Sequence, residues 1–138
     1  MQVFLPYPDL EQSVCCLDPS RLGNQVYREA KTLITGGWPN HPASKMWSGY
    51  EPALAQYCLY GLEELASRGR YYPHWIEFYK KYLRSKIELP FWFGDVRLHS
   101  SHRSALLFKD FEWYGRFGWK EKPAILVNGK LPYYWTQL

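Results

Sequence analysis

Apolar residues recur at helical intervals along much of this chain. Leu22, Val26, Ala30, Leu33 and Ile34 return every three or four residues, the pattern of one buried helical stripe. Asp18 followed by Pro19 reads as an N-cap with proline at the first helical position, and Gly36 with Gly37 reads as the stop. Leu54, Cys58, Leu62 and Leu65 mark a second helix that ends before Gly69. A third follows Pro73, with Ile76, Tyr79 and Leu83 inward and Lys81 and Arg84 more exposed. Shorter helices are predicted over residues 9–16 and 100–108.

Between these elements lie stretches rich in glycine, proline and aromatics, at residues 36–50, 89–95 and 117–123. Asn128 followed by Gly129 signals a tight turn, and Pro132 sits at or beyond its edge. No internal repeat or low-complexity tract interrupts the pattern. The expected fold class is mainly α: a compact single domain over residues 1–138, with long ordered loops and a small C-terminal hairpin.

Composition narrows the function classes. The chain has 138 residues, 46% of them apolar, enough for a core, yet no apolar run long enough to span a bilayer. Its opening has neither a basic segment nor a long apolar one, so no secretion signal is expected. Three cysteines, two of them adjacent, fit neither a disulfide framework nor a zinc-finger spacing and suit a reducing cytoplasm. The net charge is +4 and uneven. Residues 1–70 carry six Lys/Arg against seven Asp/Glu, and residues 71–138 carry eleven against six. The second half is therefore the better surface for a polyanion. Seven Trp, twelve Tyr and seven Phe suit base stacking as well as a packed core.

Candidate chemistry concentrates on the first long helix. Arg21, Gln25, Arg28, Glu29 and Thr32 fall along one side of an α-helix, beside its apolar stripe. Glu29 would sit at the border of that stripe, near two arginines, where a carboxylate can act as a base or steady a developing cation. An ordinary solvated face with Arg–Glu pairs has the same spacing.

The stretch Leu22-Gly23-Asn24-Gln25-Val26-Tyr27-Arg28-Glu29 resembles the catalytic helix of the pyrimidine-dimer DNA glycosylase (endonuclease V) family, in which a Tyr-Arg-Glu triplet ends in the essential glutamate. The opening Met1-Gln2-Val3-Phe4-Leu5-Pro6-Tyr7-Pro8-Asp9 resembles a bacterial and viral subfamily. So do the blocks Gly37-Trp38-Pro39-Asn40-His41-Pro42, Met46-Trp47-Ser48-Gly49-Tyr50-Glu51 and His99-Ser100-Ser101-His102-Arg103-Ser104. Phe117-Gly118-Trp119 and Leu131-Pro132-Tyr133-Tyr134-Trp135 close the resemblance, which keeps its order from end to end.

The resemblance implies a glycosylase with abasic-site lyase activity, acting on pyrimidine dimers or another altered base in double-stranded DNA. It needs no cofactor and no metal, and it works as a cytoplasmic monomer. The family's nucleophile is an N-terminal α-amine, here that of Met1. The reference pKa of such amines, about 7.7–8.0, leaves a useful neutral fraction near pH 7. Glu29 would stabilise the ring-opened cation, while Arg28 and Arg21 hold phosphates. In the phage member of the family, removal of the initiator methionine exposes a threonine amine. Here the second residue is Gln2, whose bulk should block that processing.

Two other clusters bear on DNA. His99, His102 and Arg103 share one side of the helix expected over 100–108, with Ser100 or Ser101 as its cap. A helix N-terminus with such donors seats a phosphate, so His99, His102, Arg103 and Lys109 are candidate backbone contacts together with Gln25. Locally bonded histidines, or a metal-dependent nuclease built on His99 and His102, are the alternatives. His41 lies in a Trp-Pro-Asn-His-Pro stretch that either lines the lesion pocket, with Trp38 or Trp47 stacking on an extruded base, or fixes a long connection. Lys80, Lys81, Arg84 and Lys86 form a basic run that is a solvated face or a source of non-specific affinity. A non-catalytic binder of damaged DNA is the remaining alternative.

Overall fold

The computed structural model describes residues 1–137. In chain order it contains α1 (Leu10–Cys15), α2 (Pro19–Asn24), a π-helical turn (Gln25–Glu29), α3 (Ala30–Ile34) and α4 (Pro42–Trp47). Then come α5 (Glu51–Ser67), α6 (Pro73–Lys80), α7 (Val96–Lys109), α8 (Phe111–Tyr114) and a 3-10 turn (Gly115–Phe117). The fold is mainly α, as the periodicities imply. Among the described residues, β pairing is limited to one antiparallel bridge between Val127 and Lys130. That bridge closes over Asn128 and Gly129, both at positive φ, which is the turn the dipeptide predicts. No helix among the described residues is long and apolar enough to cross a membrane.

Helix α5 is the central rod, with α1, α3 and α6 packed against it. Leu54, Cys58, Leu62 and Leu65 are buried along it, the stripe read from the sequence. Gly61 has no side chain where a Cβ would meet Val14 at 3.0 Å and Val26 at 3.1 Å. Its absence lets α1 and the π turn close on α5.

The π turn follows from the apolar spacing. Leu22, Val26, Ala30 and Ile34 are four residues apart. In an α-helix each such step overshoots a full turn by about 40°, so the stripe would drift by about 120° over three steps. One extra residue in a single wide turn removes most of that drift. The Ala30 N–H accordingly donates to the Gln25 carbonyl five residues back, and all four apolar residues are buried. The Tyr79 hydroxyl of α6 donates to the Val26 carbonyl inside this turn.

Three element boundaries differ from the sequence expectation: α6 stops at Lys80, so Leu83 and Arg84, expected on it, lie beyond its end. The stretch 36–50 contains α4, started by His41, whose side chain accepts the Ala43 N–H, with Pro42 in the first turn. This is the same cap-then-proline device that starts α2. Helix α7 begins at Val96 under an Asp95 cap, four residues before the expected start. Ser100 and Ser101 therefore lie in its interior, away from the terminal N–H groups. The phosphate seat expected at a helix start there is absent.

Candidate active site

Residues 2–6 run buried through the core, and side chains from three elements bond their backbone. From the π turn, Gln25 Nε2 donates to the Gln2 carbonyl (3.0 Å) and Gln25 Oε1 accepts the Phe4 N–H (2.9 Å). From α5, the Tyr57 hydroxyl donates to the Phe4 carbonyl at 2.9 Å and lies 3.0 Å from Gln25 Oε1. From α7, His102 Nδ1 accepts the Leu5 N–H at 2.8 Å, and His99 Nδ1 donates to the Leu5 carbonyl at 2.7 Å. Arg103 Nη1 donates to the Pro6 carbonyl at 2.7 Å.

These partners fix the chemistry of α7. His99 Nε2 accepts the Gly94 N–H at 3.0 Å, so Nδ1 carries the proton and both ring nitrogens are used. His99 and His102 are each 2% exposed. Burial pushes His102 down to about 3, with His99 and Arg103 adding to the effect. Burial also lowers His99. Arg103 makes a two-pronged pair with Glu121 at 2.9 and 2.7 Å, which holds the Glu121 carboxyl at about 2. Gln25, His99, His102 and Arg103, all expected at the DNA, are thus engaged with the protein's own first residues or with Glu121. Neither histidine offers a site for a metal. Among the described residues no group of three His, Cys, Asp or Glu is placed to hold one. The nuclease alternative therefore loses its ligands.

A second set of groups is unengaged. Met1 and Glu29 are half-buried. Among the described residues, neither the Met1 amine nor the Glu29 carboxylate has a hydrogen-bond partner. Phe4 and the Gln2 carbonyl are tied to Gln25, one turn before Glu29, so the start of the chain lies along the helix that carries the glutamate. Burial first, and then the positive N-terminus, lower the pKa of His41. Its ring meets Trp135 edge-on at 5.7 Å, and Trp135 meets Tyr133 at the same distance. Burial raises Tyr133 to about 12, with Arg21 and Glu29 acting on it in opposite directions. Lys109 is lowered by burial and then by Arg21, against the pull of Glu29 and Asp18. Arg21 and Glu29 thus act electrostatically on both Tyr133 and Lys109, and Tyr133 is linked through Trp135 to His41, on which the N-terminus acts.

The remaining expected residues divide. Arg28 is exposed, and its carbonyl accepts the Thr32 hydroxyl at 2.6 Å. Arg21 reaches both Asp18 oxygens at 3.2 Å, and the Tyr114 hydroxyl donates to the same carboxylate. The single polar face expected from Arg21 to Thr32 is split, with Gln25 turned into the core and Arg28 outward. Trp47 packs edge-on against Trp92 at 5.1 Å inside the core. A cavity of about 740 Å³ between α1, α5 and residues 87–93 contains none of the expected site residues.

Residues 1–80 match the family model described as pyrimidine dimer DNA glycosylase. The chain belongs to the pyrimidine dimer DNA glycosylase family. Comparison with curated proteins and with solved structures finds no match. Membership makes this protein a DNA-repair glycosylase and DNA its substrate. The family match contains Met1, Gln25, Glu29, His41 and Tyr57, while α7 and the C-terminal aromatics lie beyond it. The polar pattern of the sequence does not single out Tyr57, Tyr133 or Trp135 as site residues. Tyr57 sits on α5 like any core aromatic, and the other two reach the site through a coil with no periodicity.

Proposed function

We propose that this glycosylase also cleaves the strand, through an imine between the chain's first amine and the sugar of an altered nucleotide. The Met1 amine attacks C1′, and the base leaves with the electron pair of the glycosidic bond. The sugar ring opens to a protonated imine. Loss of a C2′ proton then expels the 3′ phosphate, so no oxidant or metal is required. Glu29 stabilises the cationic imine and carries protons. Arg21, Arg28 and Lys109 hold phosphates beside the lesion, and His41 lines the pocket. Gln25, Tyr57, His99, His102 and Arg103 act as positioning residues that fix the start of the chain. The substrate is a pyrimidine dimer or another altered base, extruded from duplex DNA, and the protein acts as a monomer.

The observation that carries this reading is the contrast along the first seven residues. Residues 2–6 are bonded at nearly every backbone group, whereas the Met1 amine is left unengaged. A nucleophile needs that immobility to hold a near-attack position. Removal of Met1 would instead place the new amine on Gln2, which is buried.

The test is borohydride trapping with ultraviolet-irradiated and untreated duplex DNA in the presence of chelator, followed by peptide mass analysis. The expected result is an adduct at residue 1, formed with irradiated DNA alone. An adduct only with abasic-site DNA would keep the lyase step and move the substrate to another base. No adduct on either DNA would overturn the amine mechanism.

A further inference from the structure

Six of the seven tryptophans have partners. Trp47 meets Trp92, Trp75 packs on Tyr79, Trp119 stacks on Tyr114, and Trp135 meets His41. Trp113 lies under Arg116. Trp38 differs: it is 66% exposed, and among the described residues it has no aromatic or cationic partner. Its φ is +54°, a backbone region that bulky side chains rarely occupy and that persists only where surrounding structure imposes it.

The surroundings do impose it. The Gly37 N–H donates to the Thr32 carbonyl at 2.8 Å, and the Trp38 carbonyl accepts the His41 N–H at 3.0 Å. The Ser44 hydroxyl donates to the Gly37 carbonyl at 3.1 Å. Gly36 precedes the pair at φ +84°, and Pro39 and Pro42 stiffen the backbone on the far side. The loop is therefore a short, rigid mount. It connects α3, which continues the Glu29 helix, to His41, whose pKa the positive N-terminus helps to lower. A large flat ring is held out on the short loop that joins the Glu29 helix to His41, and among the described residues it has no aromatic or cationic partner.

We propose that Trp38 is the wedge of this enzyme: its indole inserts into the base stack at the lesion and occupies the space left by the extruded nucleotide. The inference rests on the base-extruding glycosylase reading above. A preorganised aromatic is suited to this, because every base offers a face and a rigid ring loses little freedom on insertion. Trp38 touches the bases and takes no part in bond breaking, so it should matter only where a stacked duplex must be opened.

The experiment compares wild type, Trp38→Ala and Trp38→Phe on two substrates under single-turnover conditions. One is irradiated duplex DNA carrying 2-aminopurine beside the dimer. The other is a single strand with one abasic site, which has nothing to extrude. Wild-type adduct on the single strand checks the amine mechanism independently of the wedge. For Trp38→Ala, the expected result is a loss of about tenfold to a hundredfold in cleavage of the duplex. Its 2-aminopurine signal on binding should also fall, while trapping on the single strand stays within about twofold of wild type. Trp38→Phe should recover most of the duplex activity, because it restores the ring without changing the mount. Equal losses on both substrates, or no loss on the duplex, would overturn the proposal. So would an alanine variant with an undiminished 2-aminopurine signal.

Discussion

The helix at 19–34 and helix α7 look alike as sequences, and the structure divides their polar residues differently. Each carries arginine and other polar residues at helical spacing: Arg21, Gln25, Arg28 and Glu29 on one, His99, His102, Arg103 and Lys109 on the other. On the first, Glu29 is half-buried and bonded to nothing among the described residues, and Arg28 is exposed. On α7, His99, His102 and Arg103 are turned onto the backbone of residues 5 and 6. Residue type does not separate Glu29 and Arg28 from His99, His102 and Arg103, and partner occupancy does. A polar group whose lone pairs and protons are all engaged inside the protein holds structure, whereas an unengaged one is free to meet a ligand.

The strongest way to break this contrast is Glu29→Gln. It should lower strand cleavage of irradiated duplex by about 10²–10⁴-fold, with DNA affinity and thermal midpoint nearly unchanged. The counterpart is His102→Ala, which strands the buried Leu5 N–H and leaves a void. That combination should cost about 2–4 kcal/mol in a denaturant titration. His102→Asn, whose amide oxygen can take the Leu5 N–H, should recover much of the loss. If His102→Ala instead kept its stability and lost DNA affinity, α7 would be a DNA face after all.

The same histidine gives a pH signature. Its folded value, about 3, lies below the ordinary 6.5, so the folded state favours the neutral ring. Above pH 6.5 neither state binds the proton, and its contribution to stability is fully present. As pH falls from 6.5 toward 3 the unfolded chain takes up a proton that the folded one refuses, and stability declines. The slope approaches about 1.4 kcal/mol per pH unit, and burial of His99 acts in the same direction. Chemical denaturation at pH 7.5, 6 and 5 should show this decline in wild type and a shallower one in His102→Asn. Equal slopes would mean that the ring is protonated in the fold.

How much of this is legible in the sequence depends on how local the cause is. The apolar stripes of α5 and of residues 22–34, the Asp18 cap and the Asn128 turn are local, and each is readable. Helix α4 is readable in principle, since His41 and Pro42 repeat the pattern of Asp18 and Pro19. The π turn is implicit in a strict four-residue repeat, but only packing against Gly61 and Tyr79 realises it. The clamp on the N-terminal segment is not readable. His102 meets Leu5 across 97 residues, and nothing in the local pattern of α7 says that its polar side faces inward. Glu29 gains its weight from the Tyr-Arg-Glu resemblance, because its spacing alone fits an ordinary solvated face equally well.

The smallest effect, and the finest comparison, sets two arginines against each other. Arg28 is exposed, while Arg103 is committed to Glu121 and the Pro6 carbonyl. A phosphate contact releases counterions, so each one adds about 0.9 to the slope of log affinity against log salt on duplex DNA. Arg28→Ala should reduce that slope by about one contact and weaken binding modestly at low salt. Arg103→Ala should leave the slope unchanged and lower the thermal midpoint instead, because the freed Glu121 and Pro6 oxygens lose their donor. Fluorescence anisotropy at four or five salt concentrations, beside a thermal melt, separates the two. Were the slopes to change in the reverse sense, partner occupancy would be a poor guide to which basic groups meet DNA, and the assignment of α7 to scaffold would fall with it.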